Sequence, residues 1–283
     1  GNDLIYLADF AAEDDWQLQV ANIKDALFYF EAQYQRDLTF RARVDDALER
    51  VLRLKFQLYP DFDWGTVGER PPVPSPRADA VAAIAAQAAT LIYPEAAELA
   101  ERLPAGPAAG ERLLIISDVR EVQECDGCEA FQSVAATAFE ETILRLYGPE
   151  GSGLVADGDI LSADFLTLDG MLAAEASGAA LTDEQRTLSQ WLRDGDWIVF
   201  LMQDVDVTEY PHSGALRQFL KQRSDWRAEQ KLLVFCLNGP YFLDTTEVSK
   251  LSAYYAVYSK APASLEAAAR TLFRDLSPGG LAP

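Results

Sequence analysis

Apolar residues in this chain fall into two patterns: stretches at helical spacing, and short, nearly continuous runs bounded by turn residues. Trp16 to Tyr34 reads as a helix in which Val20, Ile23, Leu27 and Phe30 recur along one side. A second helix is predicted from about Phe40 to Leu58, with Thr39 as its N-cap and Val44, Leu48, Val51, Leu52, Lys55 and Leu58 along one side. Residues 1–10 read as one strand. The opening Gly1-Asn-Asp-Leu-Ile-Tyr-Leu7 is expected to begin inside that buried strand with no helix or cap before it. A strand and two helices cannot bury their own apolar faces, so the chain is expected to be the rear part of a longer one.

From Tyr59 to Pro76 the periodicity is lost and proline accumulates, ending in Pro71-Pro-Val-Pro-Ser-Pro76. This composition predicts a stiff, extended connection. The expected organisation is therefore residues 1–58, a linker at 59–77 and a domain at 78–283. In the last of these, helices are predicted at Asp79–Ile92, Val134–Tyr147, Gly214–Gln222 and Ser264–Phe273. Strands are predicted at Leu113–Ser117, Trp197–Met202, Leu232–Leu237 and Tyr254–Tyr258, with a helix short or lacking between the last two. Residues 94–111, 119–130 and 148–160 read as surface connections. Continuous apolar strands separated by amphipathic helices predict an α/β fold, a mainly parallel open sheet with helices on both faces.

The composition narrows the range of partners. The formal net charge of −21 argues against nucleic acid, whose phosphates require clustered Lys and Arg. No stretch reaches the roughly 20 consecutive apolar residues of a membrane span. Of three cysteines, Cys125 and Cys128 form one Cys-x-x-Cys, and Cys236 lies in an apolar strand. That is half of a zinc site without a matching His, and reads as a local disulfide or a pair of thiols. No glycine-rich phosphate cradle joins a strand to a helix. No cofactor or metal is expected.

Open α/β sheets place their sites at the carboxyl edge. The relevant strand ends are Ser117-Asp118-Val-Arg120, Gln203-Asp204-Val-Asp206 and Asn238-Gly-Pro-Tyr241. Asp118 resembles a phospho-acceptor, but neither the acidic pair nor the later Lys of that chemistry is evident. Asp3 and Asp9 bracket the first strand, where a carboxylate can line a barrel site, although Asp9 reads rather as a solvated loop acid or helix cap. His212, the single histidine, sits in a Pro/Gly turn and reads as a surface residue without an obligatory partner. Tyr241, Phe242, Tyr254, Tyr255 and Tyr258 could stack on sugars, but at alternating strand spacing they read as core.

The order of these pieces is similar to glycoside hydrolase family 3. Asn2-Asp-Leu-Ile-Tyr-Leu7 resembles the eighth strand of that family's (β/α)8 barrel. Phe40-Arg-Ala-Arg-Val-Asp-Asp-Ala-Leu-Glu-Arg-Val-Leu-Arg-Leu-Lys55 resembles the helix leaving it. The Asn-Gly-Pro-Tyr turn at 238–241 and the run from Ala253 through Pro262-Ala-Ser-Leu-Glu-Ala-Ala-Ala269 resemble the C-terminal α/β sandwich domain. The closest subgroup is the bacterial β-N-acetylhexosaminidase-like one. The resemblance implies a β-linked sugar as substrate of the whole enzyme, with residues 1–58 as the remnant of a barrel.

That family's retaining mechanism uses an Asp nucleophile which the resemblance places upstream of residue 1. The subgroup's His acid/base, in a Lys-His-Phe-Pro-Gly-His-Gly-type motif, matches nothing here. Nor is the Lys-His-Glu-Gly-type motif of the glucosidase members present. No catalytic residue can be carried over, and the piece is expected to be inactive alone. Asp3, Asp9, Asp118, Asn238 and Tyr241 remain as candidate substrate-binding residues. A non-catalytic carbohydrate-binding or protein-interaction module is the alternative. In either case, helices meant to face a barrel are expected to expose apolar surface and to favour self-association.

Overall fold

The computed structural model describes residues 2–6, 10–11, 16–59, 78–123, 127–222 and 230–281. The chain divides into two compact units, Gly1–Ser75 and Pro76–Pro283.

In the first unit, helices α1 (Trp16–Arg36) and α2 (Leu38–Leu58) form a hairpin joined at Asp37. The Asp37 carboxylate accepts the Thr39 and Phe40 amides at 2.8 and 3.1 Å, so Asp37 and not Thr39 is the N-cap. A carboxylate here satisfies two of the orphan donors of the first turn and moves the helix start upstream. Phe30 packs on Phe40 with ring centroids 5.6 Å apart, and the Tyr34 hydroxyl donates to Asp45 at 2.8 Å.

The strand expected over residues 1–10 is not formed by its described part. Residues 2–6 bend, and Asp3 turns to α2, 2.7 Å from Arg43 and 2.6 Å from Arg50. Among the described residues of this unit there is no strand to pair with, so nothing holds the segment extended. The linker expected at 59–77 lies, beyond Tyr59, outside the described residues, as does Asp9.

The second unit is an α/β sandwich. Its elements are α3 (Ala78–Ala88), β1 (Thr90–Tyr93), α4 (Ala96–Arg102), β2 (Leu113–Ser117), the two-residue ribbon β3 (Glu121–Val122) and β4 (Phe131–Gln132), α5 (Ala138–Tyr147), β5 (Ile160–Asp164) and α6 (Phe165–Ser177). There follow α7 (Asp183–Asp194), β6 (Trp197–Met202), α8 (Ala215–Gln222), β7 (Lys231–Cys236), the single turn α9 (Thr245–Val248), β8 (Ala253–Ala256) and α10 (Pro262–Leu272).

Six strands lie in the order β1-β8-β7-β6-β2-β5, parallel throughout except for β1, which runs antiparallel to β8. Every residue of β2 and β6 is buried, as continuous apolar strands covered on both faces must be. Their side chains alternate between two cores. Leu113, Ile115, Val199, Leu201 and Phe235 meet Phe139 and Ile143 of α5 and Leu265 and Ala268 of α10. Leu114, Ile116, Ile198, Phe200 and Val234 meet Phe165, Leu168 and Leu172 of α6, Leu188 of α7 and Phe219 of α8.

Several elements differ from the sequence reading, among them the helices α4, α6 and α7, for which no helix is predicted. The helix expected to reach Ile92 stops at Ala88, because Thr90-Leu-Ile-Tyr93 pairs with β8 and precedes Pro94, which disfavours helical backbone before it. Strand β5 begins within the connection expected at 148–160 and pairs with β2. The strand expected to reach Tyr258 ends at Ala256, and Tyr258 has a left-handed backbone (φ 55°).

Candidate functional site

The strand order fixes where a site would lie. From β2 the chain crosses to β5 on one side, then returns past β2 to β6 and proceeds to β7 on the other. The crevice between the carboxyl ends of β2 and β6 is therefore the switch point at which such sheets bind ligands. The ladder continues a residue past the strands there: Asp118 N donates to Leu201 O, and Leu237 N to Met202 O, each at 2.8 Å.

This crevice is filled by protein side chains. Arg120 donates to Asp118 from Nη2 at 2.6 Å and from Nε at 3.1 Å. Its Nη1 donates to Asp204 Oδ1 at 2.7 Å, and Nη2 also reaches the Asp204 carbonyl at 2.9 Å. Asn238 Nδ2, from the end of β7, donates to the other oxygen of Asp204 at 3.0 Å. Gln203 donates to the Asp118 carbonyl at 2.8 Å and to Ser133 Oγ at 3.0 Å, and accepts from Lys260 Nζ at 3.1 Å. The Tyr210 ring stacks on the guanidinium, 4.4 Å from Arg120 Cζ.

Arg120 and Asp118 are only 6% and 3% exposed. Burial opposes the Arg120 charge, but the hydrogen bonds and fields of Asp118 and Asp204 outweigh it and raise its pKa. Both carboxylates are bound to one guanidinium. The same engagement, with the Gln203 amide 3.2 Å from Asp118 Oδ2, leaves no open face for phosphorylating Asp118. The arrangement ties three strand ends together.

The structure thus brings Asp118 and Asn238 into one network through Arg120 and Asp204. Tyr241 follows on the same edge but stays outside it, 70% exposed with its ring over Gly239. Asp3 is in the other unit, and hydrogen bonds from Arg50 and Arg43 hold its carboxyl well below the usual range. Lys260, Ser133 and Tyr210 were not foreseen; each joins the network from a loop whose course only the folded sheet defines.

His212 does have a partner: its Nδ1 lies 2.9 Å from Asp169 Oδ2 on the first turns of α6, with the ring half exposed. Cys128 is disulfide-bonded, while Cys125 lies outside the described residues. Cys236 is a free thiol that burial pushes above its ordinary pKa, which makes it unreactive. Among the described residues no cluster of three or more His, Cys, Asp or Glu side chains could hold a metal, and no helix is long and apolar enough to cross a membrane.

The fold is that of an α/β sandwich with a filled switch point. No protein-family profile and no curated protein matches the chain. Among solved structures it is similar to a glycoside hydrolase family 3 β-N-acetylglucosaminidase from a Paenibacillus species, with a TM-score of 0.51 and 14% identity. That match covers 94% of this chain and 43% of the other. A fungal multi-domain β-N-acetylglucosaminidase of the same family matches with a TM-score of 0.48 and 18% identity, over 93% of this chain and 26% of that one. The β-glucoside phosphorylase BglX gives a TM-score of 0.46 and 15% identity, over 96% and 42% of the two chains. The chain thus spans less than half the length of these proteins, and at such identity the likeness is one of fold.

Proposed function

We propose that this chain is the C-terminal portion of a retaining family 3 glycoside hydrolase of the β-N-acetylhexosaminidase-like kind. In this reading residues 1–58 close its barrel, residues 59–77 are the linker and residues 78–283 form the sandwich domain. The parent acts on a β-linked sugar. This portion contributes packing and a rim to the sugar site, and neither nucleophile nor acid/base. The observation that carries the reading is the fold match to the Paenibacillus enzyme, which takes in nearly all of this chain and less than half of that one.

Two features support it. The helices α1 and α2 have no buried residue, as expected of helices whose apolar faces belong against other chain. Asp118 and Asp204, the acids of the two strand ends at the switch point, are both engaged by Arg120, and so do not stand there as the two unpaired carboxylates a double displacement calls for. Asn238 and the exposed Tyr241 are the rim candidates on this edge. Asp3 and Asp9 would line the barrel mouth, and Asp118 would act through the network behind the rim.

The filled switch point also favours a second reading, a non-catalytic carbohydrate-binding or interaction module. The two separate in one experiment: hydrolysis of aryl β-N-acetylglucosaminide and aryl β-glucoside by this chain and by a protein in which a complete barrel precedes it. Activity in the longer protein alone supports the hydrolase. Activity in the short chain would show that catalytic residues lie here, and silence in both would favour the binding module.

A further inference from the structure

The two edges of the sheet are finished differently. β1 is short, shifts register between Leu91 and Tyr93 and runs into Pro94. Its start is covered by the C-terminal segment, where Gly280 N donates to Ala89 O at 3.0 Å. Short strands, irregular register and proline are the devices that keep an edge from recruiting another strand.

β5 has none of these. It pairs with β2 on one side, and among the described residues no loop or side chain hydrogen-bonds the main chain of 160–163 from the other. Leu161, Ser162, Ala163 and Asp164 are half-buried, whereas β2 beside them is wholly buried. A groove of about 410 Å³ follows this edge. Ala136 lines it from the α5 side, and Thr187 and Leu188 of α7 from the other, so the free edge of β5 forms its floor. Ser162 Oγ is shut off from solvent there and has no hydrogen-bond partner among the described residues. A buried hydroxyl in that state is destabilising until a partner reaches it.

The groove also has a sign. Its charged lining is Asp164, Asp183 and Glu184, with neither Lys nor Arg. The helix starts nearby do not make it an anion site, because each is already capped. Asp164 accepts the Thr167 amide at 2.7 Å, and Thr182 and Gln185 form a capping box on α7. Asp183 is paired with Arg186, and Glu184 has no partner among the described residues.

The geometry points to β5 as a docking edge for an extended basic segment of a partner protein, which adds a strand beside Ile160–Asp164. Main-chain hydrogen bonds supply the pairing, and side-chain alternation supplies the selectivity. Every second residue of the segment faces α7, where Lys or Arg meets Asp183 and Glu184. The intervening residues face Ser162 and Ala136, which favour a small hydroxyl side chain. This inference does not depend on the glycosidase reading.

The test uses the whole chain and a seven-residue peptide alternating Lys and Thr, followed by fluorescence anisotropy and by amide hydrogen exchange. The peptide is expected to bind and to slow exchange in residues 160–164. Its fully N-methylated form keeps the charge but cannot pair, and is expected to bind at least about tenfold more weakly. Reversing both carboxylates with Asp183→Lys and Glu184→Lys is expected to weaken the plain peptide by about tenfold with the circular dichroism spectrum unchanged. Equal binding of the methylated peptide, protection elsewhere, no binding, or indifference to the charge reversal would each overturn the proposal. Protection of 160–164 that rises with protein concentration alone would also overturn it, by assigning the edge to a second copy.

Discussion

Nη1 of Arg120 lies 2.7 Å from Oδ1 of Asp204, joining the ends of β2 and β6 across 84 positions of sequence. The same guanidinium holds Asp118, so one cation is shared by two carboxylates at the switch point. Removing it alone strands a buried negative charge. Arg120→Ala is therefore expected to cost about 3–5 kcal/mol, read from urea unfolding. Replacing Arg120, Asp118 and Asp204 together by apolar residues of similar volume is expected to cost much less. Equal losses in the two proteins would show that the residues matter by packing and not by charge.

How much of this was legible beforehand differs by element. β2, β6 and β7 stood out because burial on both faces demands an unbroken apolar run, and Leu-Leu-Ile-Ile and Trp-Ile-Val-Phe-Leu-Met supply it. β5, Ile-Leu-Ser-Ala-Asp, did not, because an edge strand needs less apolar surface and this one follows a Gly- and Asp-rich loop. The strand ends bearing Asp118, Asp204 and Asn238 were visible from the rule that sites collect at the carboxyl edge. That Arg120 would close them into one network was not visible, because pairing across the sheet depends on strand order, which periodicity does not encode.

Phe235 sits where three rings meet, stacked on Tyr255 with centroids 5.1 Å apart and tilted against Phe139 at 5.9 Å. It is fully buried in the core that α5 and α10 share. Phe235→Ala is expected to lower unfolding stability by about 3–5 kcal/mol, through lost transfer free energy and a cavity the parallel strands cannot collapse. Phe235→Leu should recover much of that loss, and the ordering of the two midpoints in a urea titration checks it.

Glu266 on α10 is bonded by Arg145 of α5 at 2.8 Å and by Arg270 on its own helix at 2.8 Å. Arg145 first and Arg270 second lower its pKa. A carboxyl whose folded pKa is depressed adds stability above its unfolded value, and loses it as pH falls through the folded value. The unfolded value is near the ordinary 4.5, so the contribution is complete at neutral pH and fades in the acid range below it. Glu266→Gln is expected to lower stability near neutrality by about 0.5–1 kcal/mol, since the partners are partly solvated. The difference from the unsubstituted chain should shrink as pH falls below the ordinary 4.5 and vanish once the carboxyl is protonated in both states. A difference that stayed constant with pH would assign the effect to packing.

In the first unit, Leu27, Phe28 and Tyr29 of α1 and Leu54, Phe56 and Leu58 of α2 are each more than half exposed. Apolar surface of this density on a two-helix hairpin is of the kind that marks a contact surface. The expected consequence is association of the isolated chain, seen in sedimentation velocity as a weight-average mass that rises with concentration. Phe28→Glu with Phe56→Glu is expected to abolish that rise while leaving the thermal transition of the sandwich unit in place, because both residues lie in the other unit. Placing a complete barrel ahead of the chain should abolish it as well if these helices close a barrel. Persistence of association in the charged variant would move the contact to another face, with the open β5 edge next to be examined.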